Sequence, residues 1–343
     1  MKILVTGGAG FIGSHTCVEL LNAGYEVVVV DNLCNSSAES LRRVTQITGK
    51  HLRFHRVDIR DSVTLDCVFK GEGPFGAVIH FAALKAVGES VSMPLAYYEN
   101  NVAGTIALCQ VMEANACRNM VFSSSCTVYG APASVPIRED FPTPGATNPY
   151  GWSKLMMEQV FRDLQHASPQ WNVILLRYFN PIGAHASGLI GEDPVGIPSN
   201  LLPFVAQVAI GRRESLSVFG DDYPTHDGTG VRDYIHVVDL AMGHVKAIGK
   251  LAENPGLAVY NLGTGCGYSV LDVVKAFEAA SGKKVPYTIR PRRPGDIAET
   301  WADPSKAKRE LGWAAERGLQ DMCADAWRWQ SMNPNGFNVS NGG

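Results

Sequence analysis

A chain of 343 residues exceeds the usual size of a single hydrophobic core, so one large domain with a smaller companion is expected. With 45% hydrophobic and 18% charged residues, and 30 basic against 33 acidic side chains giving a net charge of -3, the balance is globular and excludes nucleic-acid or membrane-surface binding driven by bulk charge. No apolar run reaches the ~20 residues that span a bilayer, and MKILVTGG is too short before its glycines to be a signal peptide, so a cytoplasmic protein with no membrane or nucleic-acid partner is expected.

Along the chain, short β-branched runs alternate with longer amphipathic stretches, the pattern of a parallel sheet covered by helices. KILVT (2–6) reads as the first strand and leads through a glycine-rich turn into a helix over 12–23. EVVVVD (26–31) is followed by a helix over 37–48, LRFHRV (52–57) by one over 62–70, and GAVIHFA (76–82) by a long one over 93–116. NMVFSSS (119–125), a helix over 149–166 and NVILLRY (172–178) complete the series. Right-handed crossovers between parallel strands make this an α/β fold with a doubly wound, Rossmann-like sheet. After Asn180 glycine, proline and polar residues become dense over 181–200 and 220–230. We read residues 1–180 as the dinucleotide-binding domain, with some later segments returning to it. Residues 181–335 are read mainly as a smaller mixed α/β substrate-binding domain over the carboxyl edge of the sheet. The tail NPNGFNVSNGG has little to bury and is expected to fray. The cysteines at 17, 34, 67, 109, 117, 126, 266 and 323 have neither metal-ligand nor redox spacing, so reduced thiols and no metal are expected.

Three motifs carry chemistry. In TGGAGFIG, Gly7, Gly10 and Gly13 sit between a strand and a helix at the spacing that permits a tight turn, close approach of backbone to a pyrophosphate, and close helix-to-strand packing. The helix then directs its positive end at the phosphates. The second strand ends in Asp31, whose carboxylate would accept the adenosine ribose hydroxyls and repel a 2′-phosphate, so NAD is expected over NADP. Asp58, after the third strand, is placed to reach the adenine amino group, the alternative being an ordinary loop carboxylate. In NPYGWSK, Asn148 suits a helix N-cap and Pro149 the first helical position, which makes Tyr150 and Lys154 neighbours one turn apart. Bringing a tyrosine from about 10 to about 7 requires ~4 kcal/mol, and a cation some 4–6 Å away contributes roughly 3–4 kcal/mol at an effective dielectric of ~20. On that reasoning Lys154 makes Tyr150 a usable base, and an oxidised nicotinamide nearby adds to it. Ser123, Ser124 and Ser125 end the fifth strand, where open sheets bind ligands. Ser125 is assigned to share the substrate proton with Tyr150, and Ser123 and Ser124 to the cofactor side.

With these residues in place, the chain resembles the extended short-chain dehydrogenase/reductase family and, within it, the UDP-glucose 4-epimerases. The blocks VTGGAGFIGSHT, DNLCNS, HFAALKAVGES, SSSCTVYG, YGWSK, LRYFNPIGAH, GEDPVGIPSNL, GTGVRDYIHVVDLA and YNLGTG carry the likeness over roughly residues 1–333. The glycine loop and the tyrosine–lysine pair mark only the superfamily; the later blocks are more specific. By this resemblance Gly7, Gly10, Phe11, Ile12, Asp31, Asn32, Asn35, Ser36, Asp58, Ile59, Phe81, Ala82, Ala83, Lys85, Asn100, Ser123, Tyr150, Lys154 and Tyr178 contact NAD. Ala83 departs from the glycine that relatives often carry there. The resemblance assigns Asn180, Asn200, Leu201, Phe219, Arg232 and Arg293, with Asp296 nearby, to the uridine diphosphate of a UDP-hexose, and two guanidiniums suit a diphosphate grip.

The activity so implied is reversible C4 epimerisation of UDP-galactose and UDP-glucose through a 4-keto sugar. A 4,6-dehydratase or decarboxylase on the same scaffold needs a second acid/base in the turn after the serine strand, and here that turn reads Ser125-Cys126-Thr127 without a carboxylate. A silent NAD-sensing protein would be free to lose Tyr150 and Lys154, which this chain keeps. Some epimerases place tyrosine where this chain has Thr300, so room beside C2 for an N-acetyl group is expected. The resemblance also implies a homodimer through the helices near 93–116 and 149–166.

Overall fold

The computed structural model describes residues 1–293 and 295–338. Thirteen strands are seen among them. β1 (Lys2–Thr6), β2 (Glu26–Asp31), β3 (Arg53–Arg56), β4 (Ala77–His80), β5 (Asn119–Ser125) and β6 (Asn172–Tyr178) are followed by β7 (Asn180–Ile182), β8 (Leu216–Phe219), β9 (Val231–His236), β10 (Leu257–Leu262), β11 (Gly267–Ser269), β12 (Tyr287–Arg290) and β13 (Glu299–Thr300). The first six join β10 in one parallel sheet, ordered β10-β6-β5-β4-β1-β2-β3.

Both faces of this sheet are buried, which is why its strands read as continuous apolar runs rather than alternating ones. Along β1, Ile3 and Val5 enter one core and Leu4 the other. On the first face lie α1 (Phe11–Asn22) and α2 (Ala38–Thr48), whose Cys17, Leu20, Leu41 and Val44 pack with Val27 and Val29. The second face is covered by α3 (Ser62–Glu72), by α4 (Val87–Ser92), by a rod formed from α5 (Pro94–Tyr97), a π-helical turn at Tyr98–Ala103 and α6 (Gly104–Ala114), and by α7 (Pro149–Ala167). Leu65, Phe69, Leu108, Met157 and Phe161 are buried there, each contributing about 1.5–3 kcal/mol.

Beyond β6 the chain moves between layers. β7 and β9 pair side by side, with β11 and β13 on β9 as well, and β8 pairs with β12. Here α8 (Leu201–Ala209), α10 (Val270–Ser281) and α12 (Leu319–Met332) enclose a separate core of Leu202, Val205, Phe277 and Met322. Between these segments α9 (Val237–Leu251) returns to the first face through Leu240 and Ile248, and β10 extends the main sheet beyond β6. α11 (Ser305–Leu311) adds Ala307 to the same core.

Two expectations are corrected here. The helix read as continuous over 93–116 contains the π turn, which carries Asn101 into the interior. Its side chain there accepts from Leu84 N at 2.8 Å and donates to Leu84 O and Ser153 Oγ, both at 3.0 Å. The start of the tail does not fray. Arg43 donates to Asn333 Oδ1 at 2.6 Å, Phe337 N donates to Asp193 Oδ2 at 2.8 Å, and the Phe337 ring packs 4.8 Å from Trp329. Arg43 also lies over both rings, so a buried guanidinium organises what the sequence leaves unpartnered. Residues 339–343 lie outside the described residues.

Candidate active site

In this strand order β1 and β4 are neighbours whose outgoing connections run to opposite sides, and the crevice between them is where open sheets bind ligands. Gly7 leaves β1 at φ +69°, and a Cβ on it would sit 2.6 Å from Ala82 N in the segment leaving β4. A Cβ on Gly13 would sit 2.3 Å from Gly7 O, so only glycine lets α1 start this close beneath the loop. Gly10 caps α1 without a side-chain hydrogen bond, and the first turn holds no acidic residue. The amides around Phe11 and Ile12 therefore face the crevice without an anion from the chain, a cradle that fits a pyrophosphate.

Asp31 closes the far side. Its Oδ2 accepts from Ala9 N at 3.0 Å, and its Oδ1 from Leu33 N and Ser36 Oγ, each at 2.9 Å. Glycine loop and second-strand loop thus share one carboxylate. Asn32 donates to Asp58 at 2.9 Å; Arg60 binds the same carboxylate at 2.9 and 2.8 Å, which holds it far below the usual range. Asp58 is therefore already engaged by a cation. Asn35 is exposed at the loop tip, and Ile59 is buried under Gly104, where an added Cβ would sit 2.8 Å from it.

The opposite wall is formed by Phe81, Ala82 and Ala83. Phe81 packs 4.8 Å from His244 of α9, and the Tyr178 hydroxyl hydrogen-bonds His244 Nε2. His244 Nδ1 donates to Leu240 O at 2.9 Å, and burial drops the ring to about 4, so the imidazole is neutral and its Nε2 is the acceptor. Asn100 donates to Asn101 at 2.9 Å. Lys85 pairs at 2.9 Å with Glu192 of the 181–200 segment, and the same Glu192 oxygen accepts from Asn200 at 2.7 Å, so groups assigned to cofactor and substrate meet on one carboxylate.

The reacting groups converge at the carboxyl end of β5. Asn148 caps α7 by accepting from Gly151 N at 2.9 Å, with Pro149 in the first helical position, and this places Tyr150 and Lys154 over the strand end. Lys154 is fully enclosed. It donates to Ser123 O at 2.6 Å and stands 5.0 Å from the Phe122 ring centroid and 5.9 Å from that of Tyr150. Burial pulls the ammonium from 10.5 to about 7, with Glu158 pulling the other way. Burial pushes the Tyr150 phenol up to about 12, and the Ser125 hydroxyl beside it pulls down. Burial thus acts on the phenol in the direction opposite to the one expected from the lysine. Ser125 Oγ accepts from Thr127 N at 3.2 Å and from Thr127 Oγ1 at 3.0 Å. The Ser125 proton is free to point at the phenol oxygen or at a substrate oxygen. Ser124 is corrected too. Strand alternation turns it away from Ser123 and Ser125, and it donates at 2.6 Å to Glu158 rather than facing a cofactor.

The smaller layer supplies the groups assigned to a nucleotide diphosphate. β9 carries Arg232, with Thr300 of β13 in register beside it and Asn180 of β7 beside Tyr234 on the other edge. Arg293 stacks 4.9 Å over Phe219 and donates to Asp296 at 2.9 Å, and Arg232 approaches the other Asp296 oxygen at 4.0 Å. Leu201 opens α8 beside Asn200.

Several working residues escape the sequence reading. Asp233, one position after Arg232 and fully buried, accepts from Thr264 N at 2.8 Å, Gly265 N at 3.1 Å and Ala302 N at 3.1 Å, and so fastens β13. Glu158 lies four residues beyond Lys154, a spacing legible on a helical wheel. Thr127 bonds Ser125 two residues before it, a local turn contact, whereas Asn101 and Glu192 depend on contacts distant in the sequence.

The GDP-mannose 4,6 dehydratase family profile matches residues 4–326. The chain is 67% identical over 337 residues to the UDP-glucose 4-epimerase of Bacillus subtilis (strain 168), covering 98% of this chain and 99% of the relative. It is 60% identical over 342 residues to the Homo sapiens UDP-glucose 4-epimerase, covering 98% of each. The crystal structure of UDP-glucose 4-epimerase from Bifidobacterium longum in complex with NAD+ and UDP superposes with a TM-score of 0.95 at 57% identity, covering 98% of this chain and all of that one.

Proposed function

The chain belongs to the UDP-glucose 4-epimerase family, and from that footing we propose that it interconverts UDP-galactose and UDP-glucose through a 4-keto sugar, with NAD retained in the crevice between β1 and β4. The observation that carries this reading is the convergence of Tyr150, Ser125 and Lys154 at the end of β5 beside the glycine cradle. NAD, when bound, supplies a reversible acceptor for the electrons of C4 oxidation. Tyr150 takes the O4 proton, Ser125 bridges phenol and substrate by donating its own proton to one oxygen while accepting from the other, and Thr127 aims that hydroxyl. Arg232 and Arg293 hold the diphosphate, and Asp296 keeps both guanidiniums in place before it arrives. Inversion requires the oxidised sugar to present its other face, so tight contacts fall on the nucleotide and loose ones on the hexose.

The dehydratase reading is disfavoured at one place. The turn Cys126–Tyr129 after Ser125 is a short 3-10 helix carrying Cys126 and Thr127, and neither can protonate a leaving group as a carboxylic acid does. The discriminating experiment offers UDP-galactose to purified protein without added coenzyme. UDP-glucose is the expected product; a 4-keto-6-deoxy sugar, or no conversion, overturns the reading.

Thr300 extends the substrate range. Its side chain is short and lies in register with Arg232, so it takes up less room beside the sugar than a tyrosine would. UDP-N-acetylgalactosamine is expected to be epimerised as well, and Thr300→Tyr to reduce that activity at least ~10-fold while sparing UDP-galactose. Equal loss of both activities in parallel assays would refute the pocket argument.

We further propose a homodimer. Val91, Met93 and Leu95 stand exposed ahead of α6, with Ile106 on α6 and Trp152 and Met156 on α7, large apolar side chains on the helices expected to form the contact. Light scattering is expected to return twice the chain's mass, and Leu95→Glu to return the single-chain mass. No helix among the described residues is long and apolar enough to cross a membrane. The eight free thiols suit a reducing compartment such as the cytoplasm.

A further inference from the structure

We propose that Glu158, acting through Ser124, is a positioning residue for the proton relay between Ser125 and Tyr150. The proposal rests on the epimerase reading above and adds a residue to it. Glu158 lies wholly inside the protein, one turn beyond Lys154 and two beyond Tyr150 on α7. Burying a carboxylate that deep is unfavourable unless every oxygen is engaged, and here four donors engage it. Ser124 Oγ donates at 2.6 Å and Arg177 Nε at 2.9 Å to Oε1, while Arg177 Nη2 at 2.7 Å and Arg162 Nη2 at 2.8 Å donate to Oε2. Burial opposes the charge, but these donors outweigh it and keep the carboxyl below its usual range.

The register explains what this accomplishes. Ser124 pairs with Arg177 across β5 and β6, so both point to the same side of the sheet and meet the same carboxylate. Ser125, paired with Tyr178, is the next residue on the strand and points the other way. Lys154 holds the carbonyl of Ser123, the residue before. The helix that carries Tyr150 thus grips the strand that carries Ser125 at two consecutive positions. The Lys154 contact is a reacting group's own; the Glu158 contact touches neither substrate nor cofactor site. Its removal leaves the last residues of β5 held by the ladder and by Lys154 alone, and a displacement of about 1 Å between Ser125 and Tyr150 suffices to slow a proton transfer markedly.

Ser124→Ala tests this without unpairing Arg177 from Glu158. In the NAD-bound protein kcat is expected to fall about 10-fold with KM for UDP-galactose within about twofold. The phenol titration assigned to Tyr150, read by ultraviolet difference against Tyr150→Phe, is expected to rise by about one unit as the Ser125 contact loosens. Ser124→Thr, which keeps the hydroxyl, is expected to restore both. Wild-type kcat with an unmoved titration in Ser124→Ala overturns the proposal, and so do equal losses in the Ala and Thr variants. The titration needs no turnover. A wild-type protein that failed to epimerise would therefore remove the epimerase reading and still leave the positioning claim decided.

Discussion

Tyr150→Phe epimerises UDP-galactose at least ~10³-fold more slowly than the wild-type chain and keeps its NAD. The ring is retained, so packing against the strand end and the cofactor wall is unchanged; the atom removed is the one that exchanges the O4 proton. Ser125 cannot replace it, because an aliphatic hydroxyl has no accessible conjugate base at neutral pH. The structure also sets how much help the phenol needs. From about 12, a pKa near 7 requires roughly 7 kcal/mol at about 1.36 kcal/mol per unit. An ammonium 5.9 Å from the ring supplies about 3 kcal/mol at an effective dielectric of ~20. The lysine alone is insufficient, so the balance falls to charge brought by the bound coenzyme and to the Ser125 hydrogen bond. Steady-state assay of the variant with its NAD content measured after denaturation decides the matter. Turnover within tenfold of wild type removes Tyr150 from the mechanism, and loss of NAD shows a binding role instead.

The same numbers mark where sequence reasoning stops. β1, β2, β5 and β6 fall on the residues expected, because strands buried on both faces must be apolar throughout and their ends are set by Thr6, Asp31, Ser125 and Tyr178 at the ligand edge. The helix start at Pro149 is equally legible, since an asparagine cap and a proline leave few alternatives. The π turn is not. Its cause is Asn101 seeking Leu84 and Ser153, partners 17 and 52 residues away. Nor does spacing show that Ser124 faces Glu158, which depends on the register of β5 against β6. Some later segments are expected to return to the first domain, but that β10 is one of them is hidden, because LAVYNL follows the glycine- and proline-rich excursions and its partner is β6. The opposing effect of burial on Tyr150 is hidden for a related reason. A pair of residues shows the distance between two charges but not the burial of both, and burial is the larger effect here.

Lys154→Met separates the two roles of that ammonium by their opposite effects. Turnover at pH 7 is expected to fall ~10²- to 10³-fold, because the phenol loses its cationic neighbour and its pKa rises. Below that pKa the basic fraction grows tenfold per pH unit, so the variant's rate is expected to climb with pH across a range where the wild type has levelled off. Stability moves the other way. Folding depresses the lysine from 10.5 to about 7, so its contribution is present above 10.5 and is lost as pH falls to about 7. Below pH 7 the folded protein must keep a buried charge that the unfolded chain solvates freely, at a cost of roughly 5 kcal/mol for that shift. Methionine fills similar volume without the charge, although it leaves Ser123 O without its donor, a loss of about 1–3 kcal/mol. The net effect is a variant that melts several degrees above wild type at pH 6, with the advantage shrinking as pH rises toward 10. Melting curves of the two proteins at pH 6 and pH 10, together with pH–rate profiles, test both halves. A variant that melts lower at pH 6 shows that the ammonium is stabilised in place, and a parallel pH–rate profile removes it from the activation of Tyr150.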